Sequence, residues 1–334
     1  MQYELRTQVI EPPRNTFTHL VKRYGDRPAS RYEEGSIAIQ PKENVHYRPL
    51  WDPVHELYDE TFSDFRLTDP YSFTDPRQYY YAPYVTSRAA MADAVASTLD
   101  YLGSRDLLSR LPDSWSALMA ELLVPLRHYE SGAQLISCDV TRFGFGTTIT
   151  QCAGFAAFDR IGNAQAISRL GIALGGGTAE LLGEAKTRWV DDASLQGLRR
   201  YVEELFLEKD WGKALIRLDV LDRLVYGLFF THLDDVAIDA GAGSYSLFAQ
   251  HQAAWFKDQR KWLDALYKAW VADPQTGASN KALLAATTTT ALDAALAAVA
   301  PLVARVDELV DAGAAEHVET TATTVRDAVA ALTA

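Results

Sequence analysis

Nine of the thirteen prolines fall within the first 85 residues. A proline ring fixes φ and removes an amide donor, so long helices are excluded from that segment and left open to the chain beyond it. The same segment holds 15 of the 36 aromatic side chains, among them Tyr47, Trp51, Phe62, Phe65, Tyr79, Tyr80, Tyr81 and Tyr84. Disordered tails are poor in aromatics because they bury nothing. Residues 1–85 therefore read as an extended arm laid on a surface, each buried ring contributing on the order of 2 kcal/mol from area alone. That surface is either the chain's own body alone or that body together with a partner, and the aromatic excess favours the second.

Beyond the arm the apolar pattern is helical. Thr86 or Ser87 is placed to cap a helix running to about Leu102, a short helix follows between Ser104 and Leu111, and Asp113 or Ser114 caps a longer one that Pro125 should kink. Residues 147–174 read as a buried helix pair around Gly162, closed by Gly175, Gly176 and Gly177. Leu198, Tyr201, Val202, Leu205 and Phe206 keep the spacing of one helix face. After Trp211 and Gly212, Leu215, Leu218, Leu221, Val225 and Leu228 do the same, and Ile216, Val220, Leu224 and Phe229 widen the stripe until the helix must be buried on more than one side. Trp255, Trp262, Leu263, Leu266 and Trp270 mark another helix, stopped before Pro274. An Ala- and Thr-rich region carries a further helix through Leu292, Val299 and Val306, ended by Gly313, and a last one through Val325 and Val329. No period-2 run suggests a strand. The expectation is an all-α bundle in three parts: the arm (1–85), the bundle proper (86–275) and the C-terminal helices (276–334).

The formal charge of -12 disfavours nucleic acid and anionic membranes as partners. No run of 18 or more apolar residues and no basic-then-apolar leader pattern appears, so a cytoplasmic protein is expected. Cys138 and Cys152 read as reduced core residues.

A bundle of long helices is the usual host of a di-iron carboxylate site, which needs a Glu from each of two helices and Glu-x-x-His from each of two others. Three residues before the seven histidines stand Thr16, Glu43, Asp52, Pro125, Phe229, Phe248 and Ala314. Only His46 and His55 have a carboxylate there, and both lie among Pro41, Pro49 and Pro53, where no helix runs. Gly144-Phe-Gly146 and the Gly175–Gly177 run lack the following Lys-Ser/Thr and the preceding strand of a phosphate loop and read as helix junctions. There is no His-Glu-x-x-His, Cys-x-x-Cys or Gly-x-Ser-x-Gly. Asp234-Asp235 and Glu203-Glu204 read as solvated faces, and Arg169 or Arg199 as arginines that could pair with carboxylates in the interior. No catalytic, cofactor-binding or metal-ligating residue is assigned.

Several blocks in order carry a resemblance: Arg27-Pro-Ala-Ser-Arg-Tyr-Glu, His46-Tyr-Arg-Pro-Leu-Trp-Asp-Pro, Thr74-Asp-Pro-Arg-Gln-Tyr-Tyr-Tyr, Leu107-Leu-Ser-Arg-Leu-Pro, Val124-Pro-Leu-Arg-His-Tyr-Glu, Gln196-Gly-Leu-Arg-Arg-Tyr-Val-Glu and Asp210-Trp. From near Thr16 to about Trp270 the chain resembles the β subunit of bacterial multicomponent monooxygenases, most closely the phenol hydroxylase type. The resemblance implies a ferritin-like bundle lacking iron ligands. It implies a complex of α, β and γ subunits, α2β2γ2, in which α holds a di-iron site. A coupling protein, and a reductase carrying FAD and a 2Fe-2S cluster that draws electrons from NAD(P)H, dock on that complex. The positions where an iron-binding relative would show Glu-x-x-His are expected at Asp159-Arg-Ile-Gly162 and Asp258-Gln-Arg-Lys261, with Glu130 a relic of a further ligand position. A toluene- or alkene-type monooxygenase β subunit is the nearest alternative. A self-sufficient di-iron protein using Glu43, His46 and His128 is a more distant one.

Overall fold

The structure, a computed structural model, describes residues 17–40, 48, 50 and 52–334. Glu43 and His46 lie outside them. Among the described residues there is no strand, and the chain is a succession of helices. Four long ones make the centre, arranged as two hairpins. The first hairpin pairs α5 (Leu126–Phe143) with α6 (Thr147–Leu174), and the second pairs α9 (Trp211–Gly227), prolonged by α10 (Leu233–Asp239), with α11 (Gly243–Val271). Around them pack α3 (Tyr81–Ser104) against α6 and α11, α4 (Asp113–Leu118) against α12 (Gly277–Val310), α7 (Glu180–Asp191) against α6, and α8 (Ala193–Leu205) against α12. The last helix, α13 (Ala314–Thr333), lies on α12 and α9.

Local rules explain where these helices depart from expectation. Helix α3 starts at Tyr81, five residues before Thr86, because Pro83 sits in its first turn, where no amide donor is missed. Between Ser104 and Leu111 only the 3-10 turn Leu108–Arg110 forms. Pro125 does not end the helix begun at Asp113. A π-helical turn, Met119–Leu123, precedes it, with Val124 N–H bonding back five residues to Met119 O at 2.9 Å. The extra residue absorbs the clash a proline ring makes with the preceding turn. A second π turn, Leu228–His232, joins α9 to α10. Residues 147–174 form one unbroken helix rather than a pair, since a single interior glycine such as Gly162 costs only about 1 kcal/mol. Gly144 to Gly146 make the α5–α6 junction. Gly146 has φ +114°, and a Cβ there would stand 2.6 Å from Pro70 O.

The described part of the arm packs on this body. It contains two short helices, α1 (Thr18–Tyr24) and α2 (Arg31–Ser36), the latter opened by a capping box of Ser30 and Glu33. Gln40 is buried at the α5–α6 junction, its Nε2 donating to Gly144 O and its Oε1 accepting from Gly146 N–H. Phe62 stacks on Phe143 with centroids 4.6 Å apart, and Phe65 on Trp270 at 4.4 Å. Asp210, which caps α9, also accepts from Ser63 Oγ and Asp64 N–H, so one carboxylate ties the arm to a helix start.

Helix α12 is the one described helix long and apolar enough, by length and composition, to cross a bilayer. Its stripe of Leu284, Leu292, Val299, Leu302 and Val306 is buried against α8, α9 and α13. Cys152 is buried as expected, whereas Cys138 is exposed on the outer face of α5; both are free thiols.

A buried arginine at the centre of the four-helix core

Helical spacing brings polar groups from all four central helices into an otherwise apolar interior. On α6 the inward positions are Arg160, Asn163 and Ile167, at i, i+3 and i+7; on α9 they are Asp219, Asp222 and Tyr226, with the same spacing. Helix α5 contributes Tyr129 and Glu130, and α11 contributes Trp255, Gln259 and Trp262.

Arg160 is 1% exposed and stands between two carboxylates. Its Nη1 donates to both oxygens of Glu130 at 3.2 Å, and its Nη2 donates to Asp222 Oδ2. Tyr226 donates its hydroxyl to Glu130 Oε1 at 2.7 Å, and Asn163 donates to the Tyr226 hydroxyl at 3.1 Å. Tyr129 donates to Asp222 Oδ1. The guanidinium carbon lies 4.8 Å over the Trp255 ring. Burial pushes the Glu130 and Asp222 carboxyls up, against the pull of Arg160. Burial alone would discharge Arg160, but Asp222 and Glu130 outweigh it and hold its affinity for a proton well above the ordinary value. One guanidinium among two carboxylates is thus satisfied at almost every atom, Nε excepted.

Two further ion networks flank this centre. Asp159 accepts from Tyr84 (2.8 Å), Trp255 Nε1 (2.9 Å) and Arg88, whose Nη2 reaches Asp258 at 2.9 Å. Burial would raise the Asp258 carboxyl, but Arg77 and Arg88 hold it below its usual range. On the other side, Asp219 accepts from Arg223 Nε (3.1 Å), Tyr267 (3.0 Å) and Arg260. Its carboxyl is likewise lowered, Arg223 and Arg260 outweighing burial.

Glu130 lies where the sequence placed a ligand-position relic. Neither of the two aligned pairs points at Arg160. On α6 the i, i+3 pair within the central cluster is Arg160 and Asn163, one residue beyond Asp159 and Gly162, while Asp159 is bonded by Tyr84 and Arg88 of α3 and by Trp255 of α11. On α11, Asp258 likewise turns to Arg88 of α3, while Lys261 bonds it from the next turn. The arginines singled out from sequence are surface residues. Arg169 is exposed, and Arg199 pairs with Glu203 in the next turn at 2.7 Å. The signal for Arg160 was a lone cation on the helix face of Ile149, Cys152, Ala156, Ile167 and Leu170, a face that also carries the polar Asn163.

These residues do not fit a metal ion. A cation placed between Glu130 and Asp222 meets the guanidinium already there, and the void beside it is about 10 Å³, room for one water at most. Among the described residues no three His, Cys, Asp or Glu side chains converge. The described histidines lie elsewhere. His55 bonds Asp52 at 2.8 Å, His128 stacks on Trp189, His251 meets Thr98 at 2.7 Å, and His232 stacks on His317 with centroids 4.2 Å apart.

Two long helical hairpins around a polar centre of ion pairs make a ferritin-like bundle, and comparison with known proteins places that bundle among hydroxylase subunits. The Methane/Phenol/Alkene Hydroxylase family model matches residues 51–274, and the chain belongs to that family. It is 41% identical over 274 residues to the phenol 2-monooxygenase oxygenase component DmpL of Pseudomonas sp. (strain CF600), covering 82% of this chain and 83% of that one. It is 36% identical to the component MhpL of Acinetobacter pittii (strain PHEA-2), covering 85% of each. In three dimensions it matches a chain of xenon-pressurized phenol hydroxylase from Pseudomonas sp. OX1 with a TM-score of 0.85 and 31% identity, over 96% of this chain and 98% of that one. The resemblance to β-type subunits of phenol hydroxylases read from the sequence blocks therefore holds, and the chain is a component of a multicomponent monooxygenase.

Proposed function

We propose that this chain is the non-catalytic β subunit of a phenol hydroxylase, a structural partner of an α subunit that holds the di-iron centre. The observation that supports this reading is Arg160 bridging Glu130 and Asp222 in the interior between the central helices, the region from which a di-iron bundle draws its ligands. A guanidinium there supplies the positive charge that two buried carboxylates require and leaves no coordination site. The assembly is α2β2γ2, with a coupling protein and an FAD and 2Fe-2S reductase docking on it and NAD(P)H as electron source. It works on phenol and related aromatics in the cytoplasm, with neither membrane nor nucleic acid as partner. Phenol is favoured over toluene or alkenes by the 41% identity to a phenol 2-monooxygenase component.

The test is reconstitution. The purified chain should contain no stoichiometric iron and turn over no phenol, and omitting it from a mixture of the other components should abolish turnover. Two tightly bound irons with oxygen chemistry in the isolated chain would overturn the reading, and full turnover without the chain would remove its structural role.

A further inference from the structure

The joint between α9 and α10 meets the last helix at a pair of histidines. His232 ends the π turn Leu228–His232, and His317 is the fourth residue of α13. Their rings stack with centroids 4.2 Å apart and 14° between the planes. Each ring also reaches the other's element. His232 Nε2 donates to Ala312 O at 2.7 Å, in the loop that leads into α13. His317 lies over Gly227, where the π turn begins: a Cβ at Gly227 would stand 3.7 Å from its Nε2, and Thr321 Oγ1 of its own helix is 3.3 Å from that nitrogen. The loop is one that needs holding. Asp311 and Gly313, on either side of Ala312, have φ of +46° and +65°, a region that a non-glycine residue enters only at some expense.

The stack holds while its rings are neutral. One proton leaves a cation facing a neutral ring, and a second sets like charges face to face. The surroundings offer no carboxylate to offset them. Within α13 the residues one turn from His317 are Gly313, Ala314, Thr320 and Thr321, while Glu316 and Glu319 are exposed. From the end of α12, Asp307 is committed to the Ala314 and Ala315 amides, and Asp311 is exposed without a bond to either ring. On α10, Asp235 is exposed and bonds neither ring, and Asp234 lies near Tyr245. On α9, Arg223 pairs with Asp219 and Asp264. On α11, Tyr245 bonds Phe229 O and His251 bonds Thr98 of α3. Burial, and then the neighbouring His232, lower His317 below its ordinary 6.5, against the Gly227 backbone. A released α13 therefore takes up that proton first, so the hold is complete above pH 6.5 and fades as pH falls below it. We propose that His232 and His317 form a proton-operated clasp, which keeps α13 on α9 and α12 at neutral pH and lets it go once both rings are charged. Release uncovers Val318, Val325 and Val329, which are buried in the core cluster when the clasp is shut. The clasp stands on these contacts alone and does not depend on the proposed function.

Amide hydrogen exchange of the full chain, with intrinsic rates corrected for pH, reads the clasp directly. Between about pH 7.5 and about pH 5.5 the amides of α13 should lose roughly 10-fold more protection than those of α6, because a helix that opens locally exchanges ahead of the core. His317→Phe keeps a stacked ring without a titrating nitrogen, and His232→Gln keeps a donor for Ala312 O without a charge. Each should remove that excess loss. Parallel loss of protection in α13 and α6 of the unaltered chain, or an excess that persists in either variant, would overturn the proposal. Because a variant can loosen the helix by itself, the unaltered chain is also titrated by NMR. The Cε1 protons of both rings should shift over the same pH range in which α13 loses protection. Titration of both rings completed with α13 still protected would equally overturn it.

Discussion

Arg160 is the residue on which the interior depends most. Its two carboxylates are fully buried, so removing the cation strands charge where water cannot reach. Arg160→Leu should cost about 3–5 kcal/mol in urea unfolding, the range for breaking a buried pair, and adding Glu130→Gln and Asp222→Asn should return much of it. A loss below 1 kcal/mol, or no rescue, would show that the cluster is not a closed electrostatic unit. Glu130 and Asp222 have raised folded values, so the folded state keeps their protons longer and their contribution fades as pH rises above the usual carboxylate range. His128 works in the opposite direction. Burial, with Arg127 and Lys186 nearby, lowers it from 6.5 to about 4. The unfolded chain therefore takes up that proton first, and stability present above pH 6.5 is lost as pH falls toward about 4. His128→Phe, which keeps the stacking on Trp189, should flatten that part of the profile of unfolding midpoint against pH; an unaltered profile would place the acid sensitivity elsewhere. The sequence showed that no histidine carries a helical Glu-x-x-His partner, but it did not show which arginine turns inward. One residue along a helix is about 100° of rotation, and Asp159 before Arg160 and Asn163 one turn after it blur the edge of the apolar face there.

At the level of elements, long periodic helices were legible and their joints were not. The wide stripe of α9 from Leu215 to Leu228 and the aromatic run of α11 were readable because apolar periodicity reports burial directly. The π turns were hidden, since an inserted residue changes hydrogen bonding from i−4 to i−5 without altering composition. Close helix contacts were equally hidden. Gly197 of α8 faces α12 so tightly that a Cβ would stand 2.3 Å from Ala298 O. Backbone cannot yield as a flexible side chain does, so Gly197→Ala should cost about 1–3 kcal/mol despite improving helix propensity. Thermal unfolding of that variant against Gly162→Ala, where a Cβ meets nothing within 4 Å, isolates the effect. Equal melting temperatures would mean that α8 and α12 separate without penalty.

For the whole molecule, the arm and the helices share one core. Phe62, Phe65 and Phe73 belong to the same buried cluster as Trp211, Trp270 and Val329. The proline and aromatic counts gave the arm's extended character, and what they left open was the surface it uses. The described residues lie on the chain's own body, which accounts for many of the rings without invoking a partner. Contact with the proposed α subunit is the second role assigned to the arm. Deleting residues 1–40 spares Phe62 and Phe65, and it should weaken association with α in a pull-down while leaving the helical circular dichroism of the isolated chain nearly unchanged. Parallel loss of both signals would assign the arm to self-packing alone.

The central ion cluster also bears on supply. A bundle whose inner positive charge is a metal gains part of its stability only when that metal is delivered. Here Arg160 supplies the charge between Glu130 and Asp222, and it is encoded in the chain and arrives with synthesis. On the proposed reading, a cell short of iron would accumulate finished copies of this subunit, ready to meet each partner as that partner's own centre is filled.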